Sequence, residues 1–125
     1  MNKFIKATSL INKYYKGAIK INLSPPSGYR SRCEFGYRNS FYTMYDEFGN
    51  IQHLEVFNIA RPVIQNLMPK LRNNINHSKF LNHKLFQVNF RTNSVDKILV
   101  TLIFHRKLND EMKEEAQKFS NQFKI

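Results

Sequence analysis

Residues 83–107 read HKLFQVNFRTNSVDKILVTLIFHRK, two β-prone runs on either side of a short polar segment. The small polar side chains of residues 92–96 are typical of a tight connection between strands. The second run, residues 98–104, is the longest clear apolar run of the chain and has the length of a strand. The stretch therefore predicts a β-hairpin, and the rest of the chain is interpreted around it.

The register of this hairpin decides which side chains meet at its open end. With the connection at residues 94–97, Asn93 lies opposite Ile98, and counting outward puts Phe86 opposite His105. An aromatic ring and an imidazole side by side can stack on nucleobases. Three cations share this end and suit contacts with phosphate: Lys84, Arg106 and Lys107.

The charge of the chain points to a polyanionic partner. The 125 residues carry a net charge of +11, which is large for a domain of this size. Residues 1–38 hold eight cations and one anion, and residues 77–108 hold six cations and one anion. Two basic blocks are what a binding face requires, although a generally basic proteome would also produce a basic protein.

Upstream of the hairpin, residues 29–38 alternate between packable and basic side chains. Cys33 shares one face with aromatic residues, whereas Arg30 and Arg32 lie on the other. Further strands are predicted at residues 41–45 and 51–57, which gives a three-stranded antiparallel meander.

Two helices complete the predicted α+β domain. The first begins at Pro62, and Pro69 inside it predicts either a kink or two short helices. The second follows the hairpin, with Asn109 as its N-cap, and runs on without a stop signal, so we expect a longer parent chain. Residues 28–125 form this domain. Residues 1–27 form a basic N-terminal arm, held loosely or packed as a helix.

The residue pattern predicts neither a catalytic site nor a metal site. The four glycines are isolated, which excludes a Gly-rich nucleotide loop, and the four histidines lack metal-ligand spacing. The single cysteine, Cys33, allows no internal disulfide and is interpreted as a small buried residue of the packed face. We find no signal peptide and no run of membrane-spanning length, and expect a cytoplasmic protein.

Residues 28–35, GYRSRCEF, are similar to a YRxRxEF strand, and residues 83–87 with 104–111 are similar to the paired motifs HKLFQ and YHKKLDDEW. These patterns are those of the bacterial tRNA uracil-5-methyltransferases that form ribothymidine in the T-loop, and in both stretches the chain resembles that family. The likeness covers about residues 28–116; residues 1–24 show no match. Gly36 replaces a residue that is often charged in this family.

The resemblance implies the tRNA-recognition portion of a longer enzyme. The catalytic cysteine and glutamate and the S-adenosylmethionine loop of the family lie in a later Rossmann-like domain, so this chain is expected to hold no cofactor and to be inactive alone. Phe86 and His105 would enter the T-loop and replace stacking lost when the target uridine flips out. From their charge, and not from the resemblance, we also expect five cations to contact phosphate: Arg30, Arg32, Lys84, Arg106 and Lys107.

Other interpretations remain open at this point. The chain could be a free-standing RNA- or polyanion-binding module, a fragment of a ribosomal-RNA uracil-5-methyltransferase, or a basic structural protein whose hairpin edge pairs with another protein. Phe86 could equally be a core phenylalanine, and His105 a strand-end histidine pointing into solvent.

Overall fold

The computed structural model describes residues 4–125, and these residues form three helices and five strands. The hairpin, the two helices around it and three upstream strands were predicted, so the α+β class is confirmed. Residues 1–3, part of the predicted basic arm, lie outside the described residues. The elements are α1 Phe4–Asn12, β1 Arg32–Arg38, β2 Phe41–Tyr45, β3 Ile51–Leu54, α2 Pro62–His77, β4 Leu85–Thr92, β5 Ile98–Phe104 and α3 Asp110–Phe123.

The strands form a single five-stranded antiparallel sheet in the order β3-β2-β1-β4-β5. The predicted meander and hairpin are therefore not separate units. They are joined by β1 and β4, where Cys33 pairs with Phe90 and Phe35 with Val88. The first strand of the meander becomes the central strand of the sheet.

One face of the sheet is covered by helices and holds the core. Phe35 from β1 contacts the rings of Tyr42, Phe57 and Phe90 at centroid distances of 5.4–6.0 Å. The hydroxyl of Tyr42 donates a hydrogen bond to the carbonyl of Met68 on α2, at 2.7 Å. The opposite face of the sheet carries mostly exposed or half-exposed side chains, and this is the face that a partner can reach.

Helix α2 is continuous over Pro62–His77 despite Pro69 in its interior, so the alternative of two short helices is wrong. Proline removes one backbone hydrogen bond. Five buried side chains of this helix outweigh that loss by packing on the sheet: Ile64, Leu67, Met68, Leu71 and Ile75. The helix therefore survives because tertiary packing, not local propensity, supplies most of its stability.

Helix α3 starts as the sequence predicted. The side chain of Asn109 accepts a hydrogen bond from the backbone N–H of Met112 at 2.9 Å, and Asp110 and Glu111 occupy the first turn. Negative charge at this end of a helix interacts favourably with its dipole. Met112 and Phe119 are buried, which completes the core beside β5.

Two boundaries differ from the predictions. β1 begins at Arg32, because residues 28–30 instead bond to the backbone of residues 58–61, and β3 ends at Leu54. None of the residues of α1 is buried. The N-terminal segment is thus helical over Phe4–Asn12 without a buried face, which fits neither alternative completely.

The buried tyrosines make stability depend on alkaline pH. Burial raises the pKa of Tyr37 to about 12 and also raises that of Tyr42, whereas an unfolded tyrosine titrates near about 10. The folded state therefore keeps protons that the unfolded state loses. Its stability is complete below about pH 10 and falls as the pH rises through about 12.

Tyr37→Phe should make this alkaline fall shallower, measured as urea unfolding free energies at about pH 9 and about pH 11. Tyr45→Phe, which changes an exposed ring, is the matched control and should follow the wild type. An unchanged fall in Tyr37→Phe would contradict the assignment.

Candidate nucleic-acid interface

A β-bulge at Phe86 turns its ring out of the core. Leu85 pairs with Phe104 and Gln87 with Ile103, so Phe86 has no partner on β5. Val88 and Phe90 are buried, and simple alternation along β4 would bury residue 86 as well. The extra residue shifts the phase, which buries Leu85 and leaves Phe86 48% exposed.

The register of the hairpin differs from the prediction. Thr92, not Asn93, pairs with Ile98, and the bulge adds a further shift of one residue, so the predicted pairing of Phe86 with His105 is wrong. Beyond the bulge, the backbone N–H of His105 bonds to the carbonyl of Lys84 at 2.9 Å. The rings of Phe86 and His105 nevertheless lie side by side, although their backbones are not paired.

The two rings form a stacked pair with centroids 4.0 Å apart and planes at 20°. Both side chains are exposed, so Phe86 is not a core phenylalanine and His105 does not point away from it. A flat pair of this kind offers a π surface to an unpaired base. The hairpin end thus presents a pre-formed stacking platform.

Two of the predicted cations, Lys84 and Lys107, are exposed beside this platform. Lys84 adopts a left-handed backbone with φ of 56°, a conformation that an ordinary residue rarely takes. The guanidinium of Arg106 instead forms hydrogen bonds within the protein. Its Nε donates to the carbonyl of His83 at 2.9 Å, and its NH2 group donates to the carbonyl of Phe80, so it ties the preceding loop to the strand end.

Arg30 and Arg32 do not join this cluster. Arg32 pairs with Arg91 on β4, seven residues from Lys84 along the chain, a separation of about 20 Å. Arg32 also forms an exposed ion pair with Glu34 at 3.2 Å. The predicted cations therefore do not form one cluster: Arg32 lies with Arg91, which was not predicted, and Arg30 bridges Ala60 before β1.

A groove lies on the open face of the sheet next to Phe86. Gly36 of β1 is flanked across the strands by Thr43 of β2 and Gln87 of β4. Because glycine has no side chain, this row has a gap, and the groove over it measures about 360 Å³. The sequence shows Gly36 only as a replacement for a residue that is often charged in the similar family; that a groove results depends on the neighbouring strands.

The described residues include one thiol, and it is poorly suited to act as a nucleophile. Cys33 is 4% exposed, and burial raises the pKa of its thiol, partly offset by the nearby charge of Arg30. A raised pKa disfavours the thiolate that a nucleophile needs. Over residues 4–125, no group of three potential metal ligands comes together, and no helix is long and apolar enough to cross a membrane.

Comparisons with known proteins converge on one family. A family model described as tRNA (Uracil-5-)-methyltransferase matches residues 1–125. The tRNA/tmRNA (uracil-C(5))-methyltransferase of Saccharophagus degradans is 36% identical over 115 residues, and that of Chromohalobacter salexigens is 34% identical over 122 residues. The enzyme of the same name from Acinetobacter baumannii is 29% identical over 132 residues and matches 98% of this chain.

The extent of these matches is uneven. They take in 86% and 90% of this chain for the first two relatives, but only 32% and 33% of the relatives themselves. The chain thus spans about a third of the length of the curated relatives it matches. The family match also reaches residue 1, so the expectation that residues 1–24 lack a counterpart is wrong.

Proposed function

The chain belongs to the tRNA (uracil-5-)-methyltransferase family, and on that basis we propose that it is the tRNA-binding portion, which grips the T-arm. The observation that carries the proposal is the exposed, stacked pair of Phe86 and His105 at the open end of the hairpin. Aromatic rings that face solvent beside cations are the elements with which proteins hold unpaired bases.

The pair suits a loop from which one base has been withdrawn. An enzyme that modifies a base inside a folded loop must first flip that base out, which leaves its neighbours without stacking partners. Two rings that are already stacked can fill the vacated position without reorganisation. Because the two rings are already fixed against each other before RNA binds, little side-chain conformational entropy is lost on binding.

The phosphate contacts are assigned by charge and exposure. Lys84 and Lys107 lie next to the stacked pair, Arg32 and Arg91 lie at the far end of β1 and β4, and Arg30 precedes β1. Two positive groups separated by about 20 Å can contact backbone on both sides of one loop. Arg106 contributes mainly by fixing the loop of residues 80–83.

Methylation belongs to the proposal only for the complete enzyme. There, S-adenosylmethionine would supply the methyl group that converts the T-loop uridine to ribothymidine. The residues described do not fit that cofactor: their sheet is antiparallel and their glycines are isolated, so they lack the strand, Gly-rich loop and helix of a nucleotide site. Residues 4–125 are therefore assigned binding and no catalytic step.

Salt should weaken RNA binding steeply. With about three phosphates neutralised, raising monovalent salt from about 100 to about 300 mM should reduce the affinity for a T-arm stem–loop about tenfold. Fluorescence anisotropy with the 125-residue chain measures this directly. A stem–loop from ribosomal RNA, matched in length and charge, serves as the comparison.

Two results would count against the proposal. An affinity that does not change with salt would contradict the proposed contacts between these cations and phosphate. Equal affinity for the T-arm and the ribosomal stem–loop would leave only a general polyanion-binding module.

A further inference from the structure

The groove over Gly36, bounded by Glu34, Arg38, Tyr45, Phe86 and Gln87 and called here the Gly36 groove, has no role in the function proposed above. We propose that it holds a second unpaired nucleobase of the RNA whose loop rests on the Phe86–His105 pair. This inference rests on the proposed RNA binding. It adds a separate subsite, on a different side of the Phe86 ring.

The walls of the groove are aromatic. Tyr45, at the end of β2, is 68% exposed, and Phe86 stands on the opposite side, beyond the bare backbone of Gly36. The turn after Tyr45 is fixed by Asp46, whose carboxylate accepts backbone hydrogen bonds from Phe48 and Asn50 at 2.9 and 2.8 Å. A flat heterocycle can therefore lie between the two rings, over a floor formed by the backbone of Gly36 and the side chain of Thr43.

The volume excludes much larger ligands and admits a base. At about 360 Å³ the groove lies at the lower end of the range of small-molecule sites. A side chain at Gly36 would crowd the groove floor: a Cβ there would lie 2.5 Å from the hydroxyl oxygen of Thr43. Glycine at this position therefore keeps the floor low.

The polar atoms of the groove favour a base that carries an amino group. Glu34 offers a carboxylate that shares one oxygen with Arg32. Gln87 borders the groove and donates its amide N–H to Asn89 at 2.9 Å, which leaves its amide oxygen without that partner and able to accept. An exocyclic amino group of adenine, guanine or cytosine carries two N–H donors for these acceptors, whereas uracil offers only its single ring N3–H.

The charge around the groove suits the backbone of the same nucleotide. Arg38 lies two residues beyond Gly36 on β1, is exposed, and borders the groove. A base lying over Gly36 would bring its phosphate near this guanidinium. Phosphate contacts of this kind position the strand, whereas the edge contacts with Glu34 and Gln87 select the base.

The test compares two exposed aromatic side chains. Tyr45→Ala removes a wall of the groove, whereas Phe48→Ala, at an 80% exposed ring three residues away that does not border it, is the matched control. With the whole chain and a T-arm stem–loop, Tyr45→Ala should weaken binding about 5- to 30-fold, the range of stacking on an open ring. Phe48→Ala should bind like the wild type.

A series of stem–loops with one abasic nucleotide at each loop position identifies the bound base. The wild type should show a sensitive position that becomes insensitive in Tyr45→Ala but not in His105→Ala, which does not border the groove, because interacting partners are non-additive. Replacing that base by uracil should lose part of the same affinity, since stacking is kept and the amino-group contacts are not.

The outcomes separate the two proposals. If Phe86→Ala weakens binding and Tyr45→Ala equals Phe48→Ala, the Gly36 groove is not a subsite and the RNA-binding proposal stands. If neither Phe86→Ala nor Tyr45→Ala has an effect, both proposals fail.

Discussion

Phe86→Ala should weaken binding of the T-arm stem–loop by about 1–3 kcal/mol, or about 5- to 150-fold in dissociation constant. The ring is half exposed and stacked on His105 at 4.0 Å. Its removal should therefore change the stability of the fold little, but it removes a surface on which a base of the RNA can stack. Anisotropy titration at constant salt gives the number.

Val95→Ala is the control for this prediction. Val95 is 70% exposed in the connection at the other end of the same hairpin. Its truncation should leave the affinity unchanged. His105→Ala combined with Phe86→Ala should lose less than the sum of the single losses, since the two rings act as one surface. Wild-type affinity in Phe86→Ala would refute the stacking role.

Phe35→Ala should lower the free energy of unfolding by about 3–5 kcal/mol. Phe35 is 2% exposed at the centre of the sheet and contacts three aromatic rings. A domain of this size is stable by only about 5–15 kcal/mol, so this single truncation removes a large share. Urea unfolding followed by circular dichroism measures the change.

Phe48→Ala provides the matched control, because it deletes the same ring at an 80% exposed site. Its unfolding free energy should stay within about 0.5 kcal/mol of the wild type. A loss below about 1 kcal/mol in Phe35→Ala would mean that the core relaxes around the cavity far more than buried aromatic sites usually do.

Local sequence patterns predicted the elements well. The alternation around Cys33 marked a strand with one buried face, and the cap at Asn109 marked the start of α3. These features depend on neighbours along the chain, which is why the sequence reveals them. The predicted meeting of Phe86 and His105 also appears in the structure, although by a different register.

Features that depend on distant residues were not predictable. The bulge at Phe86 is set by the buried positions of Leu85 and Val88 against other elements, and no local signal marks it. The pairing of β1 with β4 likewise has no local signature. The Gly36 groove needs walls from β2 and β4, so the sequence showed only a glycine in place of a residue that is often charged in the similar family.

The central position of β1 has a consequence for how the chain acquires its structure. β1 pairs with β2 next to it in sequence, but its other edge must wait for β4, whose residues come much later. During synthesis, the β1–β3 segment is therefore complete while one hydrogen-bonding edge and an apolar face remain uncovered. Such non-local closure slows folding and favours association of nascent chains, so this edge is where chaperone assistance would be needed most.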